Sequence, residues 1–235
     1  MNPENSHCAL CPFESAKRVC RSEEGKAPPF CPTVNESRLA GSCLERYDDP
    51  SVCAFALNSS VQEGEGYADR ELGYERLRPA QPRLVEIAGF AEKMGYRKLG
   101  LAFCVGMRSE AKVVEQFYAA RGFDVVSVMC KAGGVPKERI GVRDEQKIAP
   151  GTHETMCNPV FQAELMNREG TELNVVMGLC VGHDSLFFRY AKAPCTVFAV
   201  KDRLLGHNPL AAVYTLDGYY RYLKAGPEDR KAPKD

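Results

Sequence analysis

Four apolar runs dominate the chain from residue 98 on: KLGLAFC (98–104), DVVSVMC (124–130), ELNVVMGLC (172–180) and CTVFAV (195–200). They are rich in Val and Leu and show little polar alternation, which predicts strands buried on both faces. The segments before and between them, PRLVEIAGFAEKM (82–94), SEAKVVEQFYAAR (109–121) and PVFQAELMNRE (159–169), repeat their apolar residues at helical spacing. Gly95 and Gly122 stop the first two helices, Ser109 is expected to cap the second, and a last helix is expected to start near Pro209.

Apolar strands joined by helices mean a parallel sheet covered on both sides. The predicted fold class is α/β, a three-layer, Rossmann-like four-stranded parallel sheet occupying 81–235. Residues 35–80 read as a helical linker. In it, ESRLAGSCLERY (36–47) and SVCAFALNSS (51–60) are short amphipathic runs split by Asp48-Asp49-Pro50, QEGEG (62–66) is a loop, and ADRELGYERLR (68–78) is a further helical turn.

Residues 1–34 have almost no core-forming side chains, so an ordered state there needs a staple. They carry Cys8, Cys11, Cys20 and Cys31 at spacing C-x2-C-x8-C-x10-C. The first pair is a metal knuckle, and the second is wider than in zinc ribbons or ferredoxins. One closed metal-binding module with a tetrathiolate site is expected over 1–34, holding zinc or an iron–sulfur cluster.

The whole chain of 235 residues contains 11 cysteines, an odd number, which suits metal or redox chemistry better than a disulfide scaffold. Three predicted strands end on cysteine: Cys104, Cys130 and Cys180. In a parallel sheet these ends share one rim, the rim where open α/β sheets bind ligands. Cys157 joins them, because Asn158-Pro159 opens a helix whose N-terminus returns to that rim and whose dipole favours a thiolate. His207-Asn208-Pro209 repeats the pattern after the last strand, so His207 is expected there too, with Lys201, Asp202, Arg203, His183, Asp184 and Ser185. The consecutive His183, Asp184 and Ser185 cannot form a triad among themselves, and a capping or turn role is expected. Cys195 begins its strand and belongs to the far rim; Cys43 and Cys53 read as small buried hydrophobes.

Thirty-one basic residues balance 31 acidic ones, so no net charge draws the chain to nucleic acid or an anionic membrane. No apolar run reaches the ~20 residues of a bilayer span, and MNPENSHC lacks the plan of a secretion signal, so a cytoplasmic location is expected. The tail AGPEDRKAPKD (225–235) reads as a flexible end.

CALC with a later VC and FCP, then LAFCVG, SVMCKAGG, CNPVFQAELMN, GLCVGHDSLF and VKDRLLGHNP, together resemble a family catalogued as domain of unknown function 1847. The resemblance extends over nearly the whole chain and implies a metal-binding label with no known reaction. It implies matching positions at the eight cysteines Cys8, Cys11, Cys20, Cys31, Cys104, Cys130, Cys157 and Cys180. It also implies them at His183, Asp184, Lys201, Asp202, His207 and Asn208.

Three functions follow from these residues. The first is a metalloprotein with an iron–sulfur cluster on Cys104, Cys130, Cys157 and Cys180, in electron transfer or a redox-assisted reaction with a partner protein or small molecule. The second is a zinc protein with structural or regulatory metal, acting through partners. The third is a thiol-dependent enzyme with Cys157 as nucleophile and His207 or His183 as base; Asp202 is a further catalytic candidate. Whether the chain is an enzyme, and in what oligomeric state it works, is not written in these motifs.

Overall fold

A computed structural model of the chain describes residues 5–226, so most of the tail lies outside the described residues. The chain divides into two compact units, residues 1–61 and 62–235.

The first unit is built from short turns and helices. A 3-10 turn at Cys8–Leu10 closes the first cysteine pair, with the Cys11 N–H donating to the Cys8 carbonyl at 3.2 Å. Helices α1 (Pro32–Asn35) and α2 (Ser37–Leu44) follow, and a 3-10 turn leads to α3 (Pro50–Glu65). Asp49 and Pro50 start α3 as a cap-and-proline pair, the Asp49 carboxylate accepting from the Ser51 N–H at 2.8 Å. The second unit begins inside α3, and the loop expected at 62–66 is helical through Glu65. Its continuation has an anchor: Gln62 is buried and bonds the side chains of Gln81 and Lys93, at 2.9 and 2.8 Å. The helical turn expected at 68–78 is two 3-10 turns inside a small ladder, in which β1 (Tyr67–Ala68) pairs antiparallel with β2 (Arg78–Pro79). An Arg78–Asp69 ion pair closes that ladder. Cys43 and Cys53, expected to be buried, are exposed.

The second unit is the expected three-layer α/β fold. Helix α4 (Arg83–Lys93) leads into β3 (Lys98–Phe103), α5 (Arg108–Ala120), β4 (Asp124–Met129), α6 (Pro159–Glu169), β5 (Leu173–Met177), α7 (His183–Tyr190), β6 (Cys195–Ala199) and α8 (Leu210–Tyr214). The strands are all parallel, in the order β4-β3-β5-β6. Alternate residues serve opposite faces. Leu99, Leu101 and Phe103 pack with Ala88 and Ala91 of α4 and with Val114 and Tyr118 of α5. Ala102, Cys104, Val128 and Cys130 pack with Ala163 and Met166 of α6 and Phe187 of α7.

Three local expectations need correction. Helix α5 starts at Arg108 out of a 3-10 turn, so Ser109 lies inside it and the N-cap position falls on Met107. Strand β5 ends at Met177 and not at residue 180, because Gly178 turns at φ +67°, where a Cβ would collide with the Met107 sulfur. The stretch from His183 is a full helix, α7, and not only a turn.

Leu101 is fully buried in a central strand. Leu101→Ala is expected to lower the unfolding free energy by about 2–5 kcal/mol, as large-to-small core changes do. Urea denaturation measures it, and a loss under about 1 kcal/mol would mean that this face is not the packed core.

Candidate functional site

In an open α/β sheet the ligand crevice lies where the strand order reverses. Here the chain leaves β3 for β4 on one side and returns to β5 on the other, so the switch point lies between the carboxyl ends of β3 and β5. Cys104 directly follows β3 and Cys130 directly follows β4. The parallel ladder runs one step beyond both strands: the Cys104 N–H donates to Met177 O (3.0 Å) and the Cys130 N–H to Phe103 O (2.9 Å). The two thiols therefore stand side by side, both buried on the α6/α7 face. The Asn158 N–H donates to the Cys130 carbonyl at 2.7 Å, tying the start of α6 to the same point. Asn158 caps that helix as expected, its Oδ1 accepting from the Phe161 N–H at 3.1 Å. This places half-buried Cys157 against Cys130.

The three thiols interact. Hydrogen bonding from Cys130 pulls the Cys104 thiol down to about 5; the Gly106 N–H and Lys201 also favour its thiolate, against the cost of burial. Cys157 is likewise pulled down to about 5, first by Cys130, then by the positive charge of Lys131 and by His183. Cys130, between two thiolates and buried, is pushed up. A protonated central thiol thus serves two flanking thiolates. The Val105 N–H also donates to Cys130 Sγ at 3.4 Å.

Cys180 lies three residues past the end of β5, carried there by the Gly178 turn, and is half-buried. Its sulfur accepts from Arg203 Nη2 at 3.0 Å, and its carbonyl accepts the His183 and Asp184 N–H groups at the start of α7. The two Cys-Val-Gly turns are therefore not equivalent. In the second, the Gly182 N–H donates to Asp184 Oδ1 (3.0 Å) and not to a sulfur. The N-cap of α7 is Gly182, with no side-chain cap, and Asp184 lies inside the first turn, where its Oδ1 also accepts from the Ser185 N–H. His183 Nδ1 is buried without a hydrogen-bond partner among the described residues.

Asp202 and His207 bond one loop together. Asp202 Oδ1 accepts from the Leu204 and Leu205 N–H groups, and His207 Nδ1 accepts from the Asp202 N–H at 3.3 Å. The loop follows β6 on the same rim, but the parallel with Asn158 fails, since α8 starts at Leu210 without a side-chain cap. Cys195 opens β6 at the opposite end of the sheet, bonded to Ala193 O and Asn174, and burial raises its thiol.

In the first unit, Cys8, Cys11, Cys20 and Cys31 line one cavity of about 100 Å³ with Arg18 and Phe30. No group of three or more His, Cys, Asp or Glu side chains, among the described residues, is drawn close enough to enclose a single metal ion. The cations that accompany the thiols are only partly legible in the sequence. Lys201 and Arg203 are at the rim as expected, whereas Lys131, directly after Cys130, is an addition; adjacency to a strand-end cysteine is the signal that could have found it.

The arrangement defines a class: an α/β protein with a thiol-lined carboxyl rim at its switch point. The chain belongs to the family described as "Protein of unknown function (DUF1847)", whose model matches residues 31–198. That match includes the rim cysteines and Cys31, but not Cys8, Cys11, Cys20 or the Asp202–His207 loop. The chain is also 49% identical, over 133 residues, to an uncharacterized protein of Methanocaldococcus jannaschii, covering 57% of this chain and 67% of that protein. No helix among the described residues is long and apolar enough to cross a membrane.

In the metal-free chain, lowered thiols react at lower pH. Cys157 is expected to keep most of its iodoacetamide reactivity from pH 8 to 6.5, where a thiol of ordinary value near 8.5 slows more than tenfold. Because the folded values of Cys104 and Cys157 lie below the ordinary one, their stabilising contribution is present above about 8.5 and is lost as pH falls toward 5. Site-resolved mass spectrometry reads the reactivity; a midpoint for Cys157 near the ordinary thiol value of about 8.5 would contradict the assignment.

Proposed function

We propose that this chain is a cysteine-ligated metalloprotein with a redox or electron-transfer role. Cys104, Cys130, Cys157 and Cys180 would hold an iron–sulfur cluster at the rim, and Cys8, Cys11, Cys20 and Cys31 a second metal, zinc or iron–sulfur. One observation carries the reading. Thiols from three separate segments meet at the switch point of an open parallel sheet, with a backbone N–H directed at one sulfur.

All-sulfur donors suit both zinc and iron–sulfur centres. The choice at the rim turns on need, since structural zinc staples segments that cannot fold alone. The second unit already has a core on each face of its sheet, so its rim needs no staple. A bound cluster would supply one-electron chemistry. The chain's own part is to orient and tune: the Val105 N–H withdraws charge from Cys130 Sγ, Lys201 and Lys131 offset the charge on Cys104 and Cys157, and Arg203 does so for Cys180. At the other site, all four cysteines line one cavity, and four thiolates are a donor set that suits zinc or an iron–sulfur cluster.

A second reading has its own observation. The lowered Cys157, at the start of α6, suits a nucleophile, with the unpartnered His183 Nδ1 as proton acceptor.

Protein prepared and reconstituted without oxygen is expected to contain iron and sulfide in matching amounts. Its broad visible absorption should bleach on reduction and vanish in Cys104→Ser. Stoichiometric zinc at the rim with no iron uptake would overturn the cluster. Cys11→Ser is expected to remove about one metal equivalent and expose residues 1–34 to protease, as when a structural site loses one of its four thiolates. Full metal content and unchanged protection in that variant would refute the first site.

A further inference from the structure

Among the described residues, three buried side-chain atoms have no hydrogen-bond partner: Tyr118 Oη, Gln162 Oε1 and His183 Nδ1. Buried polar atoms are nearly always paired, so each of the three needs a reason. Tyr118 lies in the cluster on the far face of the sheet from the rim thiols. Gln162 is already held to two strands through Nε2, and an amide oxygen is a hard donor. His183 is the different case, because a neutral imidazole nitrogen is a ligand for zinc and iron.

Local structure places the ring at the rim. Phe187, one helical turn after His183, is fully buried in the cluster that holds Cys104 and Cys130 and against which Cys157 packs. Residues four apart share a helix face, so His183 continues that face to the start of α7. Its backbone is fixed as well. The His183 N–H donates to the Cys180 carbonyl at 2.9 Å, and Asp184 Oδ1 closes the turn on the Gly182 and Ser185 N–H groups. His183 stands near enough to Cys157 for its charge to favour the thiolate, yet Nδ1 makes no hydrogen bond to that sulfur. Two ligands of one centre are related in this way: they surround a common point and do not bond each other.

Cys180 is engaged elsewhere. Its sulfur accepts from Arg203 Nη2 at 3.0 Å, and it is not among the described residues packed into the cluster of Cys104, Cys130 and Cys157. We infer that the fourth ligand of the rim centre is His183, bound through Nδ1, in a set of three cysteines and one histidine with Cys104, Cys130 and Cys157, and that Cys180 stays outside it on Arg203. This rests on the iron–sulfur reading of the rim given above and changes one of its four ligands. A neutral imidazole in place of a thiolate removes one negative charge from the centre, and histidine ligation raises the reduction potential of such clusters.

Pulsed electron paramagnetic resonance tests this on the full chain, carrying isotope-labelled histidine, loaded with ferrous iron and sulfide without oxygen and then reduced. The rim's share of iron and sulfide is the amount lost in Cys104→Ser. A bound imidazole is expected to couple a nitrogen strongly to the rim cluster, with a splitting that changes with the isotope. His183→Cys should keep the iron and sulfide, lose the nitrogen coupling and lower the reduction potential, which also shows that the variant folds. Cys180→Ser should keep the cluster, the coupling and the potential. A loaded rim without nitrogen coupling, a coupling that survives His183→Cys, or loss of the cluster in Cys180→Ser would overturn the assignment of His183 and leave the cluster standing. No rim share of iron and sulfide at all would overturn the cluster reading, and this ligand with it.

Discussion

The rim depends on a parallel ladder that outlasts its strands. The Cys130 N–H to Phe103 O and Cys104 N–H to Met177 O bonds extend the register one residue beyond regular strand geometry. That step makes neighbours of two cysteines far apart in the chain, at about the 4.8 Å strand spacing. Side chains alternate with a period of two, so a one-residue slip would send one thiol to the α4/α5 face and the other to the α6/α7 face. Gln162 guards the register. Fully buried in the first turn of α6, its Nε2 donates to Phe103 O (3.3 Å) and Val128 O (2.6 Å), bridging the adjacent strands near their carboxyl ends. A slip of either strand would cost this amide one of its two bonds, although its Oε1 already lies buried without a partner among the described residues.

The opposite rim shows the same lattice around a thiol in a different setting. There Asn174 is buried, accepting from Thr171 Oγ1 at 2.8 Å and lying against Cys195. Gly100 has no side chain because a Cβ would strike Asn174 Oδ1. Cys195 is raised by burial with no cation near enough to oppose it, as an inert thiol should be. Two rims of one sheet thus carry thiols in opposite electrostatic settings.

Much of this is legible in the sequence, and the failures have physical causes. Apolar runs bounded by Gly and Pro locate every strand of the main sheet to within a few residues, and Asn158-Pro159 sets the start of α6 without error. Composition shows what a segment can bury but not where a local turn intrudes. Gly178 looks like part of an apolar run, yet its positive φ ends β5 early. Helix α7 is only two turns long and opens on the polar His183-Asp184-Ser185, so periodicity has too little to act on. The likeness of His207-Asn208-Pro209 to Cys157-Asn158-Pro159 also misleads. At α6 the Asn of the pair is the N-cap, whereas at α8 Pro209 holds that position and Asn208 lies one residue too early to cap. Repeated letters, as in the two Cys-Val-Gly turns, do not guarantee repeated geometry.

The charge balance of the chain hides the arrangement that matters at the rim. Equal numbers of acids and bases leave no net field, yet three cysteines there each have a cation of their own. Lys201 serves Cys104, Lys131 serves Cys157 and Arg203 serves Cys180. At 4 Å such a pair is worth about 1 kcal/mol in bulk water and about 4 kcal/mol at the effective dielectric near a protein surface. Half-buried sites therefore gain from a cation what exposed ones do not. Lys131 is itself aimed by its bond to Thr155 O at 2.5 Å, and the loop that supplies Thr155 is held by Lys137–Glu154 and by Lys147 with Glu138 and Asp144. Those ion pairs all lie in the stretch between Cys130 and Cys157. Their effect is to fix where one ammonium stands, and so to add its charge to the hydrogen bond from Cys130 that chiefly lowers Cys157.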